Sequence, residues 1–184
     1  MDAFIETRFL NEIIMQANRA LYCKNLMNSF SQPNPNNEDF YREAEHFIQH
    51  ASGISLFLWN PREKKPITSR CLYLKEKLKI NGASVLDNNK LRNSLVHFDE
   101  RLDDWDKNSK NHAFIDQNTG NVQKFISGIE PKDFFRNYNP KNYIYSFWGE
   151  EYNIQDITNE IEKIKSLCKQ RLQELALKKY KHKQ

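Results

Sequence analysis

Glycine and proline are scarce in this chain of 184 residues, which holds 5 and 6 of them. An all-β domain with many tight turns needs more, so a sandwich or barrel is disfavoured. Cysteine is scarcer still. Cys23, Cys71 and Cys168 are odd in number, far apart and without a Cys-x-x-Cys pair. That argues against a disulfide framework or a thiolate zinc site and makes a reducing cytosol the expected compartment. No apolar run approaches the ~18 residues of a membrane span. The opening MDAFIETRFL starts acidic and lacks the unbroken apolar core of a signal peptide. Nor does charge of one sign dominate: 28 Lys and Arg against 24 Asp and Glu leave a net +4. This is too mild for a histone-like binder, and it permits a nucleic-acid partner without demanding one.

What is present points to helices. About 39% of residues are apolar and 12% aromatic, ample for a hydrophobic core in one domain spanning 1–184. Phe9, Ile13, Ala17, Ala20 and Leu21, joined by Leu10 and Ile14, predict an amphipathic helix over 3–30. Pro33 and Pro35 among asparagines break it. Phe40, Ala44, Phe47, Ile48, Ala51, Ile54 and Leu58 predict a second helix over 38–59, where Gly53 marks a close helix contact. A loop over 60–66, a shorter helix over 69–78 and a turn at Asn81-Gly82 follow. Leu91, Leu95, Phe98, Leu102 and Trp105 predict a helix over 87–106, capped by Asp87 and anchored in the core. Residues 112–152 read as an irregular insertion. It has a tight turn at Asn118-Thr119-Gly120-Asn121 and a small β-hairpin built on Tyr143-Ile144-Tyr145-Ser146-Phe147-Trp148. The last helix covers 154–178, with Ile157, Ile161, Ile164, Leu167, Leu172 and Leu175, before a frayed basic tail over 178–184. The expected fold is mainly α: a helical bundle with a small β-containing insertion before the C-terminal helix.

The most informative stretch is Arg92-Asn93-Ser94-Leu95-Val96-His97. Five steps of ~100° place Arg92 and His97 ~140° apart on a straight helix. They converge on one phosphate if the site forms at a kink or between two subunits. Asn93 stands four residues before His97, on the same face, where it can orient the imidazole. An arginine, an amide and a histidine suffice to cleave RNA, which carries its own nucleophile in the ribose 2′-OH. Histidine moves protons near neutral pH. The guanidinium fork matches charge growing on phosphate oxygens. No metal or other cofactor is required for that route, and the sequence has no convincing acidic metal cluster.

Arg92-Asn93-x-x-x-His97 on a late helix of a helical domain resembles the HEPN superfamily (higher eukaryotes and prokaryotes nucleotide-binding). That family's signature is Arg, four to six residues, then His, often with a polar residue directly after the Arg. The flanking run from His97 to Trp105 also looks like bacterial proteins of that kind. The resemblance covers roughly residues 3–106 and the terminal helix; residues 112–152 have no counterpart in it. It implies a homodimer whose Arg and His motifs face each other across the interface. It also implies metal-independent endoribonuclease activity in toxin–antitoxin, phage-defence or RNA-processing systems. Arg92, His97 and Asn93 are then the catalytic residues, RNA is the substrate, and an antitoxin or regulatory protein is a partner. Some members are inactive, so the second reading is a silent helical module that binds a protein or nucleotide and dimerises through the same helix.

Lesser signals have plainer explanations. His46 and His50 are spaced i, i+4, with Glu43 and Glu45 nearby, a spacing that can chelate zinc. No third ligand is visible in the sequence, and solvated helix surface is the expectation. Arg101 could add positive potential beside His97, but an ion pair with Asp104 or Glu100 is expected. Tyr138, Tyr143, Tyr145, Phe147 and Trp148 could stack on bases, but are expected to form hairpin core.

Overall fold

The computed structural model describes residues 1–30, 38–59, 65–88, 98–110, 112–120 and 128–181. Helix α1 spans Ala3–Phe30 and α2 spans Glu38–Leu58. Asp2 starts α1 as its N-cap, its carboxylate accepting the Ile5 amide at 2.9 Å. Leu10, Ile13, Ala17, Ala20 and Met27 are buried at helical spacing, and so are Phe40, Ala44, Phe47, Ile48, Ala51, Ile54 and Leu58 on α2. The two helices pack along one another. A Cβ added at Gly53 would lie 3.1 Å from the Gln16 amide oxygen on α1, so this glycine does mark a close contact.

Helix α3 spans Lys65–Lys77, starting four residues before the predicted boundary. Pro66 sits in its first turn, where a missing N–H removes no helical hydrogen bond. The helix closes with Lys79 in the left-handed region, φ 54°. The Lys79 amide donates to the Glu76 carbonyl at 3.1 Å and the Ile80 amide to the Lys75 carbonyl at 2.9 Å. This is a Schellman close with lysine where glycine is usual. Arg70 of α3 lies over the Phe9 and Phe57 rings, 5.2 and 5.5 Å from their centroids, and ties α3 to α1 and α2.

The next described helix, α4, spans Phe98–Asn108. Asp87 and Asn88, expected inside a helix from residue 87, lie outside any helix; Leu91 and Leu95 lie outside the described residues. The expected core anchoring is corrected at Phe98 alone. No α4 residue is buried, and Phe98 is 40% exposed. The apolar side of α4 rests on an aromatic platform at the margin of the central core. Phe98 meets Trp148 at 5.1 Å between ring centroids, and Trp105 meets Phe135 at 5.4 Å.

Residues 112–153 contain more than the expected hairpin. Strands β1 (Asn118–Thr119), β2 (Arg136–Asn139), β3 (Ile144–Phe147) and β4 (Glu150–Asn153) form a four-stranded sheet in that order. The β2–β3 and β3–β4 pairs are antiparallel, but β1 pairs parallel to β2, Asn118 opposite Asn137 and Thr119 opposite Tyr138. The expected tight turn at Asn118–Asn121 is therefore an edge strand at its first two residues. The β3–β4 connection is a two-residue turn, Trp148 and Gly149, with φ of 53° and 75°. Both values are those of a type I′ hairpin. Gly149→Ala is expected to destabilise the protein by about 1 kcal/mol, because a Cβ is strained at that φ. Thermal denaturation checks this: the loss is roughly 2–4 °C, and an unchanged midpoint would contradict the turn assignment.

Helix α5 spans Ile154–Lys181, directly after β4. Asn153 caps it, accepting the Asp156 amide at 3.0 Å. Ile154, Ile157, Ile161, Ile164 and Cys168 are buried, and α5 packs on α1. The predicted tail is partly corrected: the helix continues through Lys181, three residues past the expected end, and 182–184 lie outside the described residues. The central core thus joins α1, α2 and α5 with Tyr138, Tyr145, Phe147 and Tyr152 from the sheet. No helix among the described residues is long and apolar enough to cross a membrane.

Candidate functional site

Arg92, Asn93 and His97 lie in residues 89–97, outside the described residues. The two flanks of this segment are firmly built. On the N-terminal side Leu86 is fully buried, and its carbonyl accepts the Ser55 hydroxyl of α2 at 2.5 Å. Ser84 donates to Glu160 of α5 at 3.0 Å. On the C-terminal side Phe98 rests on Trp148 in the β3–β4 turn. Arg101 does form an ion pair, but not with Asp104 or Glu100. It reaches Glu150 of β4 at 3.4 Å, and the Tyr152 hydroxyl donates to the same carboxylate oxygen at 2.8 Å. Its charge is thereby committed to fixing α4 on the sheet.

Three polar clusters tie the described elements to one another. Asp133 is fully buried and accepts from Ser109 Oγ at 2.8 Å, Trp105 Nε1 at 3.0 Å and the Glu130 amide at 3.0 Å. Burial alone would raise its pKa; the hydrogen bonds and the Lys132 charge outweigh that and hold it below the usual aspartate value. Arg136 of β2 forks onto Asp116 and donates to Glu45 of α2 at 3.0 Å, joining sheet and helix. The Tyr41 hydroxyl donates to the Asn118 carbonyl of β1, a second such link. Glu6 of α1 accepts from Arg171 Nε at 2.6 Å and from the Tyr73 hydroxyl at 2.8 Å, joining α1, α3 and α5.

The aromatic run behaves as core. Tyr138, Tyr145 and Phe147 are buried, Trp148 is half-buried, and Tyr143 is exposed at the β2–β3 turn. Apart from the exposed Tyr143, these rings are spent on packing.

The histidine pair on α2 divides. His50 Nδ1 lies 2.8 Å from Gln16 Oε1 on α1. Gln16 Nε2 already donates to Glu12 at 2.9 Å, so its oxygen is the acceptor and His50 Nδ1 the donor. Burial, with the Arg19 and His46 charges, lowers the His50 pKa and favours the neutral ring. His46 takes different company: its Nδ1 lies 3.6 Å from Glu43 Oε2. Cys23, one turn past Ala20 on α1, completes a group in which the Cys23, Glu43 and His46 donor atoms all lie within 4.8 Å of one another. Burial and the Glu43 carboxylate push the Cys23 thiol up to about 11. Sequence reasoning named His46 and Glu43 and missed Cys23. The signal was its place on the buried stripe of α1, but which residues of α2 it faces depends on how the two helices register. Compared with known proteins, the chain matches no family model, no curated protein and no solved structure.

Proposed function

We propose that this protein is a metal-independent endoribonuclease of the HEPN type, acting as a homodimer. The reading rests on one observation, the sequence Arg92-Asn93-Ser94-Leu95-Val96-His97. It is supported by a frame that is mainly helical, with α1, α2 and α5 around one core. His97 serves as general base and acid: it takes the proton of the 2′-OH as that oxygen attacks phosphorus, and a proton is returned to the departing 5′-oxygen. Arg92 binds the scissile phosphate and stabilises the charge that grows on it. Asn93 positions His97 or the substrate. The P–O5′ bond breaks, leaving a 2′,3′-cyclic phosphate and a 5′-hydroxyl. On the helix that the sequence predicts for this segment, Arg92 and His97 stand ~140° apart and serve a single phosphate more easily when a second copy completes the site. Roles as a toxin held by an antitoxin, in phage defence or in RNA processing all fit this chemistry.

The test is direct. Purified protein is expected to cut single-stranded RNA in EDTA and to spare DNA of the same sequence, which lacks the nucleophile. Light scattering at micromolar concentration is expected to give a dimer. Equal cleavage of DNA would rule out attack by the 2′-OH, and a monomer would remove the shared site.

A further inference from the structure

Cys23, Glu43 and His46 form a three-donor group between the two best-packed helices, and no step of the proposed RNA chemistry uses it. We propose that Cys23, Glu43 and His46 bind one thiophilic divalent cation of the Zn²⁺ class, clamping α1 to α2 with a solvent molecule in the fourth position. The geometry carries this. Tetrahedral zinc with bonds of about 2.0–2.3 Å places its ligand atoms about 3.3–3.8 Å apart. The His46 Nδ1 to Glu43 Oε2 separation is 3.6 Å, already in that range, and all three donors are mutually within 4.8 Å. Rotamer adjustments of about 1 Å close the rest. A sulfur, an imidazole nitrogen and a carboxylate oxygen are a mixed set that suits zinc and disfavours magnesium or calcium, which take oxygen.

The surroundings agree. Cys23 and Glu43 are buried, whereas Arg42 and His46, which contact Glu43 from its own helix, are both half-exposed. A bound cation supplies buried positive charge that these surface partners provide only in part. Cys23 and Glu43 arrive from different helices whose packing is already set by Ala17, Ala20, Ala44 and Ala51, so the donors are held in place before the ion arrives. His50, one turn beyond His46, lies outside the donor group and is bound to Gln16. The half-exposed side of His46 leaves room for solvent at the fourth position.

The experiment is titration of the full chain with Co²⁺, followed by competition with Zn²⁺. A thiolate-to-cobalt charge-transfer band and the intense visible bands of four-coordinate Co²⁺ are expected at one equivalent, and Zn²⁺ should erase both. Cys23→Ser should abolish the charge-transfer band, while Cys71→Ser and Cys168→Ser keep it. His46→Ala, a change at a half-exposed position that leaves the core intact, should weaken Co²⁺ binding by at least about 10²-fold. Circular dichroism of each metal-free variant should match the wild type. No charge-transfer band at saturating Co²⁺, or a band that survives Cys23→Ser, would overturn the proposal. So would a His46→Ala variant that binds as tightly as wild type. RNA cleavage in EDTA is read separately, so failure of one reading leaves the other standing.

Discussion

His97→Ala is expected to lose RNA cleavage by roughly 10²-fold or more, the size of a general acid–base contribution. Arg92→Ala is expected to lose a comparable amount, because it removes the only cation assigned to the charge that grows on phosphorus. Asn93→Ala should be milder, since the amide positions rather than reacts. Single-turnover cleavage of a labelled RNA in EDTA measures all three. The variants are expected to keep wild-type circular dichroism and melting, because the proposal treats these side chains as polar groups of a cleft. Melting also separates the alternative. If wild type and His97→Ala leave a broad RNA panel intact and Arg92→Ala unfolds the chain, Arg92 is a structural ion-pair partner. The silent-module reading then replaces the nuclease. Arg101 makes a useful contrast: its guanidinium is paired with Glu150, so Arg101→Ala should loosen α4 from β4 before it affects chemistry.

Arg171→Ala is expected to be the most destabilising substitution in the polar framework, at about 3–5 kcal/mol. Glu6 is 1% exposed, and Arg171 reaches both of its oxygens, at 2.6 and 3.3 Å. Removing the guanidinium strands a carboxylate in the core between α1, α3 and α5. At roughly 2–4 °C per kcal/mol for a chain of this size, the melting point should fall by about 10 °C. Adding Glu6→Gln to Arg171→Ala should recover part of the loss, because the stranded charge is gone. A loss under about 1 kcal/mol would show the pair to be a solvated surface contact. The same carboxylate sets an acid limit. Burial raises the Glu6 pKa, but the Arg171 and Tyr73 hydrogen bonds and the Arg171 and Lys77 charges outweigh it, so the folded value lies below the ordinary 4.5. Its stabilisation is therefore fully present above pH 4.5 and is lost as the pH falls through the lower folded value. Asp133, also held below its ordinary 3.8, adds to the same limb. Wild type should lose stability across that window, and Arg171→Ala should lose less there.

The long helices were legible because their signal is long. Leu10 to Met27 on α1 and Phe40 to Leu58 on α2 repeat the helical spacing over several turns, and Asn153 caps α5 where the apolar pattern begins. The β1 strand was not, because Asn118 and Thr119 are two polar residues whose parallel partner, β2, is nearly twenty residues away. Local turn propensity was the stronger signal there, and tertiary pairing overrode it. For α4 the period was right over Phe98, Leu102 and Trp105 but its meaning was not. Periodicity says that one face is covered, without saying whether a core or an aromatic platform covers it. The links Arg136–Asp116–Glu45 and Glu6–Arg171 were invisible for another reason: each joins residues far apart in the chain, and their charges look like ordinary surface until the helices are placed.

End-group analysis of the RNA products, made in EDTA with wild type and His97→Ala side by side, decides whether His97 drives cleavage by the 2′-OH. Wild type is expected to yield 2′,3′-cyclic phosphate and 5′-hydroxyl ends, and His97→Ala to yield almost none of either. Ends carrying 3′-hydroxyl and 5′-phosphate, or the same cyclic ends at the same rate from His97→Ala, would contradict it.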